Sequence, residues 1–122
     1  MPMPAPDFLA RTGASLCSSV HDAVHAAIEQ LLERYARPGG SLLDVGCWDG
    51  GRTVRYRDAG RLTSLHGVEI VSAQAAAATA RGIDVARCDL ESPAFPWADG
   101  SLDVVVCNQV LEHLKNVFSV MD

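Results

Sequence analysis

Apolar residues recur along this chain first at helical spacing and then in short continuous runs. Leu16, Val20, Val24, Ile28, Leu31 and Leu32 follow one another at three- and four-residue steps, which predicts a helix from Ser15 to about Arg37. Pro38, Gly39 and Gly40 stop it. A short apolar strand follows at Ser41 to Val45, and further strands fit Leu65 to Ile70, Ile83 to Cys88 and Leu102 to Cys107. Helices fit residues 51–58 and the alanine-rich stretch 72–81, which Gly82 closes. Leu90 to Gly100 holds two prolines and an Asp99-Gly100 turn and reads as a loop. Gln109 to Met121 is the last helical pattern. The proline-rich start, residues 1–14, is expected to be a flexible segment ahead of one domain, 15–122.

Strands that alternate with helices predict parallel pairing with right-handed crossovers. Val104, Val105 and Val106 are apolar at every position, as a strand covered on both faces requires. A chain of 122 residues suits one domain that buries roughly two-thirds of its unfolded surface. The net charge of −5 argues against a nucleic-acid partner, which needs a clustered basic patch. Arg52, Arg55, Arg57 and Arg61 come nearest to one, and Asp49 and Asp58 dilute them. No apolar run approaches the ~18 residues of a membrane span, and the start lacks the pattern of a signal peptide. Cys17, Cys47, Cys88 and Cys107 stand apart with no CxxC pair, which predicts reduced thiols in a cytoplasmic protein and no metal site. His21 and His25 are four apart on one helix face without a following glutamate and are expected to be solvated.

In an open parallel sheet, ligands bind beyond the carboxyl ends of the strands. Four features fall there. "LLDVGCWDGG" ends a strand on Asp44 and then offers Gly46, Gly50 and Gly51, a loop whose backbone can approach a ligand closely. Asp44 can hold that loop or attract a cationic group. Glu69 lies about 23 positions after Gly46, where nucleotide-binding folds place the acid that chelates ribose hydroxyls. Asp89 and Leu90 follow the third strand, where a carboxylate accepts from an adenine amino group and an apolar side chain packs on the ring. "CNQVLEHL" puts Asn108 and Gln109 at the cleft, with Glu112 and His113 a turn later. An ordinary strand-turn-helix connection and solvated strand-end charges are the competing reading of each feature alone.

Together these motifs resemble the class I S-adenosylmethionine-dependent methyltransferases, in particular those acting on small molecules. The resemblance runs from Leu42 to about Leu114, through "LLDVGCWDGG", "GVEI", "CDLE" and "LDVVVCNQVLEHL". It implies a Rossmann-like α/β fold with helices on both faces of a parallel sheet, here about four strands in the order 3-2-1-4 of the family's seven. It implies S-adenosylmethionine as cofactor. Gly46, Cys47 and Gly50 would face its methionine part, with Asp44 organising the loop. Glu69 would bind the ribose, Ile70, Asp89 and Leu90 the adenine, and Asn108 would lie near the sulfonium. His113 is the candidate base, and capping or packing is its competing role.

Two departures from the family pattern stand out. Trp48 occupies a place that is usually glycine, so its indole is expected to point away from the cofactor. The family's last three strands follow the helix where this sequence stops. The expectation is therefore the cofactor-binding half, with no methyl transfer from this chain alone. Its fourth strand would be left as an apolar edge able to self-associate through Leu102 to Cys107. A non-catalytic methyltransferase-like scaffold is the alternative. A NAD-dependent oxidoreductase is disfavoured because the glycines read GxxxGG and not GxGxxG.

Overall fold

The computed structural model describes residues 6–92 and 95–121. Helix α1 spans Pro6–Tyr35. It begins before the expected Ser15 and takes in residues 6–14 of the segment expected to be flexible; residues 1–5 lie outside the described residues. Proline is tolerated at a helix start because the first N–H groups have no partner within the helix. At the far end Gly39 turns the chain with φ +82°, a conformation open to glycine at little cost.

Strand β1, Ser41–Val45, follows. Next come α2 (Gly51–Gly60), β2 (Ser64–Val68), α3 (Ser72–Ala80), β3 (Asp84–Ala86) and β4 (Val104–Cys107). All three strand pairings are parallel, and the order is β3-β2-β1-β4, as the family resemblance implies. The register sets Asp44 between Gly67 and Val106. At the start of β1 the Ser41 amide donates to Asp103 Oδ2 at 2.8 Å, and the Asp103 amide donates back to Ser41 Oγ at 3.0 Å. That pair ties β1 to the segment leading into β4 across a long stretch of chain.

Successive strand residues point to opposite faces, and the two faces are covered differently. Leu42, Leu65 and Val106 pack against Leu32 of α1, Tyr56 of α2 and Ala78 of α3. Leu43, Val45 and Val68 pack instead under Cys88, Leu90, Trp97, Leu102 and Val110, so the long connection before β4 does the work of a helix layer there. β4 is an edge strand, and Val105, which pairs with Leu43, is 57% exposed.

The helix expected over Gln109 to Met121 is broken. Gln109 takes φ +56°, Leu111–His113 forms a single 3-10 turn, and α4 is confined to Val117–Met121. Glu91 satisfies amides that the interruption leaves open. Its Oε1 accepts the amides of Lys115 at 2.5 Å and Asn116 at 3.0 Å, N–H groups that a continuous helix would spend on its own carbonyls.

Candidate functional site

The site forms where β1, β2 and β4 end. The turn after β1 is tied to β2, because the amides of Gly46 and Cys47 both donate to the Val68 carbonyl, at 2.9 and 3.0 Å. Gly46 has φ +77°, and a Cβ on it would stand 2.6 Å from Val110 Cγ2, so only glycine lets the two connections approach. Gly50 is glycine for a different reason. A Cβ there would meet Ile83 Cδ1 at 2.5 Å, so the residue seats the start of α2 against the core and lines neither cavity described below.

Asp44 sits beneath this turn and is 6% exposed. Thr53 of α2, fully buried, donates its hydroxyl to Asp44 Oδ2 at 2.7 Å. Burial pushes the Asp44 carboxyl up to about 6, and the Thr53 hydrogen bond pulls it partly back. Burial, and then the Asp44 and Glu69 carboxylates, push the Cys47 thiol up to about 12, so it stays neutral.

Glu69, 7% exposed, stands just past β2. Its Oε2 accepts the Trp48 amide at 3.0 Å and its Oε1 accepts the Val71 amide at 2.8 Å. Each oxygen keeps a further lone pair for an outside donor. Trp48 itself adopts φ +49° and is 57% exposed, so its indole lies on the rim of the turn and not in the core.

Two adjoining cavities meet at these residues. The first, about 200 Å³, is walled by Ile70, Asp89 and Leu90. The second, about 470 Å³, is walled by Asp44, Cys47, Trp48 and Asn108. Gly46, Glu69, Val110 and His113 line both, so the boundary runs across the turn after β1. Of the expected site residues, the structure thus gathers all but Gly50. His113, exposed in the 3-10 turn, sits where the cavities join.

The second cavity also has a wall that the motifs did not indicate, made by His25, Arg52 and Tyr56. His25 was expected in solvent; it is half-buried and hydrogen-bonded through Nδ1 to the Tyr56 hydroxyl. The signal was present in α1, since His25 continues the spacing of Ile28 and Leu32, which pack towards the sheet. Desolvation lowers the His25 pKa, and the Arg52 charge lowers it further. The arginines after the turn do not form a free basic patch. Arg52 pairs with Asp22, Arg55 with Glu29 and Arg57 with Asp58.

Comparison with known proteins gives this geometry its class. The family model described as "Methyltransferase domain" matches residues 43–122, and the chain belongs to that family. It is 33% identical over 91 residues to the bifunctional methionine biosynthesis protein MetXA/MetW of Rhodopirellula baltica, covering 69% of this chain and 15% of that protein. It is 32% identical over 108 residues to the ubiquinone biosynthesis O-methyltransferase of Hahella chejuensis, covering 84% of this chain and 44% of that one. The chain thus spans less than half the length of either relative. Among solved structures, geranyl diphosphate C-methyltransferase from Streptomyces coelicolor A3(2), held with Mg2+, geranyl diphosphate and S-adenosyl-L-homocysteine, shares the fold. Its TM-score is 0.60 at 20% identity, over 85% of this chain and 41% of that one. The cofactor of the family is S-adenosylmethionine.

Proposed function

We propose that the chain binds S-adenosylmethionine along the two adjoining cavities and, within the whole protein, serves methyl transfer to a small-molecule acceptor. The observation that carries this reading is that the buried acid Glu69 and the close-approach glycine Gly46 line both cavities. The residues fit the cofactor. Asp89, Leu90 and Ile70 offer an acceptor and apolar surface to adenine, the spare lone pairs of Glu69 suit ribose hydroxyls, and Asp44 supplies a carboxylate to the amino-acid part. The cofactor supplies an activated methyl together with its own leaving group, so the chain's share of the chemistry is alignment. Asn108, at the end of β4, borders the second cavity, where the acceptor has to arrive. His113 is the proposed proton acceptor where the acceptor must lose a proton. His113→Gln is expected to lower kcat in the whole protein by more than it changes cofactor affinity.

Calorimetric titration tests the reading. S-adenosylhomocysteine is expected to bind and NAD is not, and a similar dissociation constant for NAD would undo the assignment. In the same titration Trp48→Gly is expected to keep or improve affinity. The substitution restores the family's glycine in a turn whose φ there is +49°, a conformation open to glycine. A large loss of affinity would instead make the indole a cofactor contact.

The reading also covers the setting and the edge. The four free cysteines agree with a cytoplasmic protein, and no described helix is long and apolar enough to cross a membrane. An uncovered strand edge recruits another strand, and here the recruited strand is proposed to be β4 of a second copy. Sedimentation at several concentrations is expected to show association that Val105→Lys reduces. Identical monomeric behaviour of both forms would remove this proposal.

A further inference from the structure

The second cavity is electrically two-sided. Asp44 and Asp49 stand on its wall, and so do Arg52 and His25. The tail of S-adenosylmethionine is a zwitterion, with an ammonium and a carboxylate on one carbon. Resting on the cofactor reading above, we propose that His25 and Arg52 form the subsite for the carboxylate of that tail, while the ammonium takes the Asp44 side.

The hydrogen-bond chemistry of the wall supports this. Tyr56 is 1% exposed, and His25 is the hydroxyl's partner among the described residues. Burial, and then the nearby Asp44 carboxylate, push the Tyr56 phenol up to about 12, so it keeps its proton and donates it to His25 Nδ1. A neutral imidazole that accepts at Nδ1 carries its own proton on Nε2. His25, which lines the cavity, therefore offers a donor at Nε2 and not a base. It suits an anion and leaves proton removal to another group. Arg52 spends one nitrogen on Asp22 at 2.6 Å and keeps further N–H groups of its guanidinium. The two donors come from different elements, α1 and α2. Arg52 and Tyr56 lie four apart on one face of α2, and the Tyr56 hydroxyl holds the imidazole of α1 through its hydrogen bond.

The test compares S-adenosylhomocysteine with 5′-methylthioadenosine, which has the same nucleoside and thioether but no amino-acid tail. Both are titrated into the unmodified chain and into His25→Leu, His25→Gln and Arg52→Gln. Loss of one hydrogen bond to a charged group is expected to raise the dissociation constant of S-adenosylhomocysteine about 10-fold in His25→Leu and in Arg52→Gln. Methylthioadenosine binding is expected to stay unchanged. His25→Gln, whose amide N–H reaches the place of Nε2–H, is expected to recover most of the loss. Nitrogen chemical shifts of the His25 ring provide a readout that needs no variant, and are expected to show the proton on Nε2. Equal weakening of both nucleosides overturns the proposal, because the pair would then act on the fold. Unchanged preference for S-adenosylhomocysteine in both single variants also overturns it and turns the wall over to an anionic acceptor. A chain that takes neither nucleoside overturns the cofactor reading, and the proposal with it; one that takes both with its preference unaltered overturns the proposal alone.

Discussion

Glu69→Ala is expected to weaken S-adenosylhomocysteine binding by about 10- to 150-fold, the range for losing hydrogen bonds to a charged acceptor. Two effects act in the same direction. The ribose hydroxyls lose their carboxylate, and the amides of Trp48 and Val71 lose the acceptors that hold the two strand-end turns together. Leaving such donors unpaired costs roughly 1–3 kcal/mol each where water cannot reach them, so the thermal midpoint is expected to fall as well. Glu69→Gln separates the contributions. It keeps one carbonyl oxygen but turns its amide NH2 donor towards the second backbone N–H, so it repairs only one of the two turns. Calorimetry read beside a thermal melt reports both effects. An unchanged dissociation constant in Glu69→Ala would remove this residue from the cofactor site, whatever happens to stability.

Asp44→Asn is expected to do two opposite things. The Asp44 carboxyl titrates at about 6 in the folded chain against 3.8 in its ordinary setting. Its pKa is raised, so the folded state holds this proton more tightly than the unfolded chain does. The contribution of Asp44 to stability therefore increases as pH falls from above 6 towards 4, and at pH 7.5 the buried charge is a burden. A shift of about two units corresponds to roughly 3 kcal/mol at order-of-magnitude level. Asparagine still accepts from Thr53 and carries no charge, so Asp44→Asn is expected to melt higher than the unmodified chain at pH 7.5. The difference is expected to vanish near pH 4, where Asp44 is itself protonated. Binding moves the other way. The variant has no charge for the cofactor's ammonium, and the unmodified chain is expected to lose S-adenosylhomocysteine affinity as pH drops through about 6. A variant that melts lower at pH 7.5 would show that Asp44 stabilises the turn more than its burial costs.

Much of the fold was legible because the deciding signals are local. The alternation of apolar runs with helical spacing defined the strands, and the continuous Val104–Val106 run marked a strand of the sheet interior, although in this chain it lies at the edge. The order β3-β2-β1-β4 came from motifs at strand ends, read through the family resemblance. Asp44, Gly46, Glu69, Asp89 and Asn108 were legible for a similar reason. A residue at the carboxyl end of a parallel strand faces the cleft wherever the rest of the chain goes. Trp48 was placed only in part: its side chain is exposed, yet the residue lines the second cavity.

The tertiary structure decided what depends on residues far apart in the chain. No local pattern in Gln109–Met121 announces that its helix is interrupted, because the carboxylate that takes the amides of Lys115 and Asn116 belongs to Glu91, in another connection. Gly50 looks like part of a ligand loop until Ile83 and Ala78 are seen in the space that a Cβ on it would take. The wall of His25, Arg52 and Tyr56 exists only because α1 lies on α2, which brings side chains about 30 positions apart into one hydrogen bond. Periodicity shows that a helix has an inner face. Which inner residue meets a ligand, and with which nitrogen, depends on the neighbour that packing supplies. For His25 that neighbour is a buried tyrosine whose hydroxyl must donate somewhere.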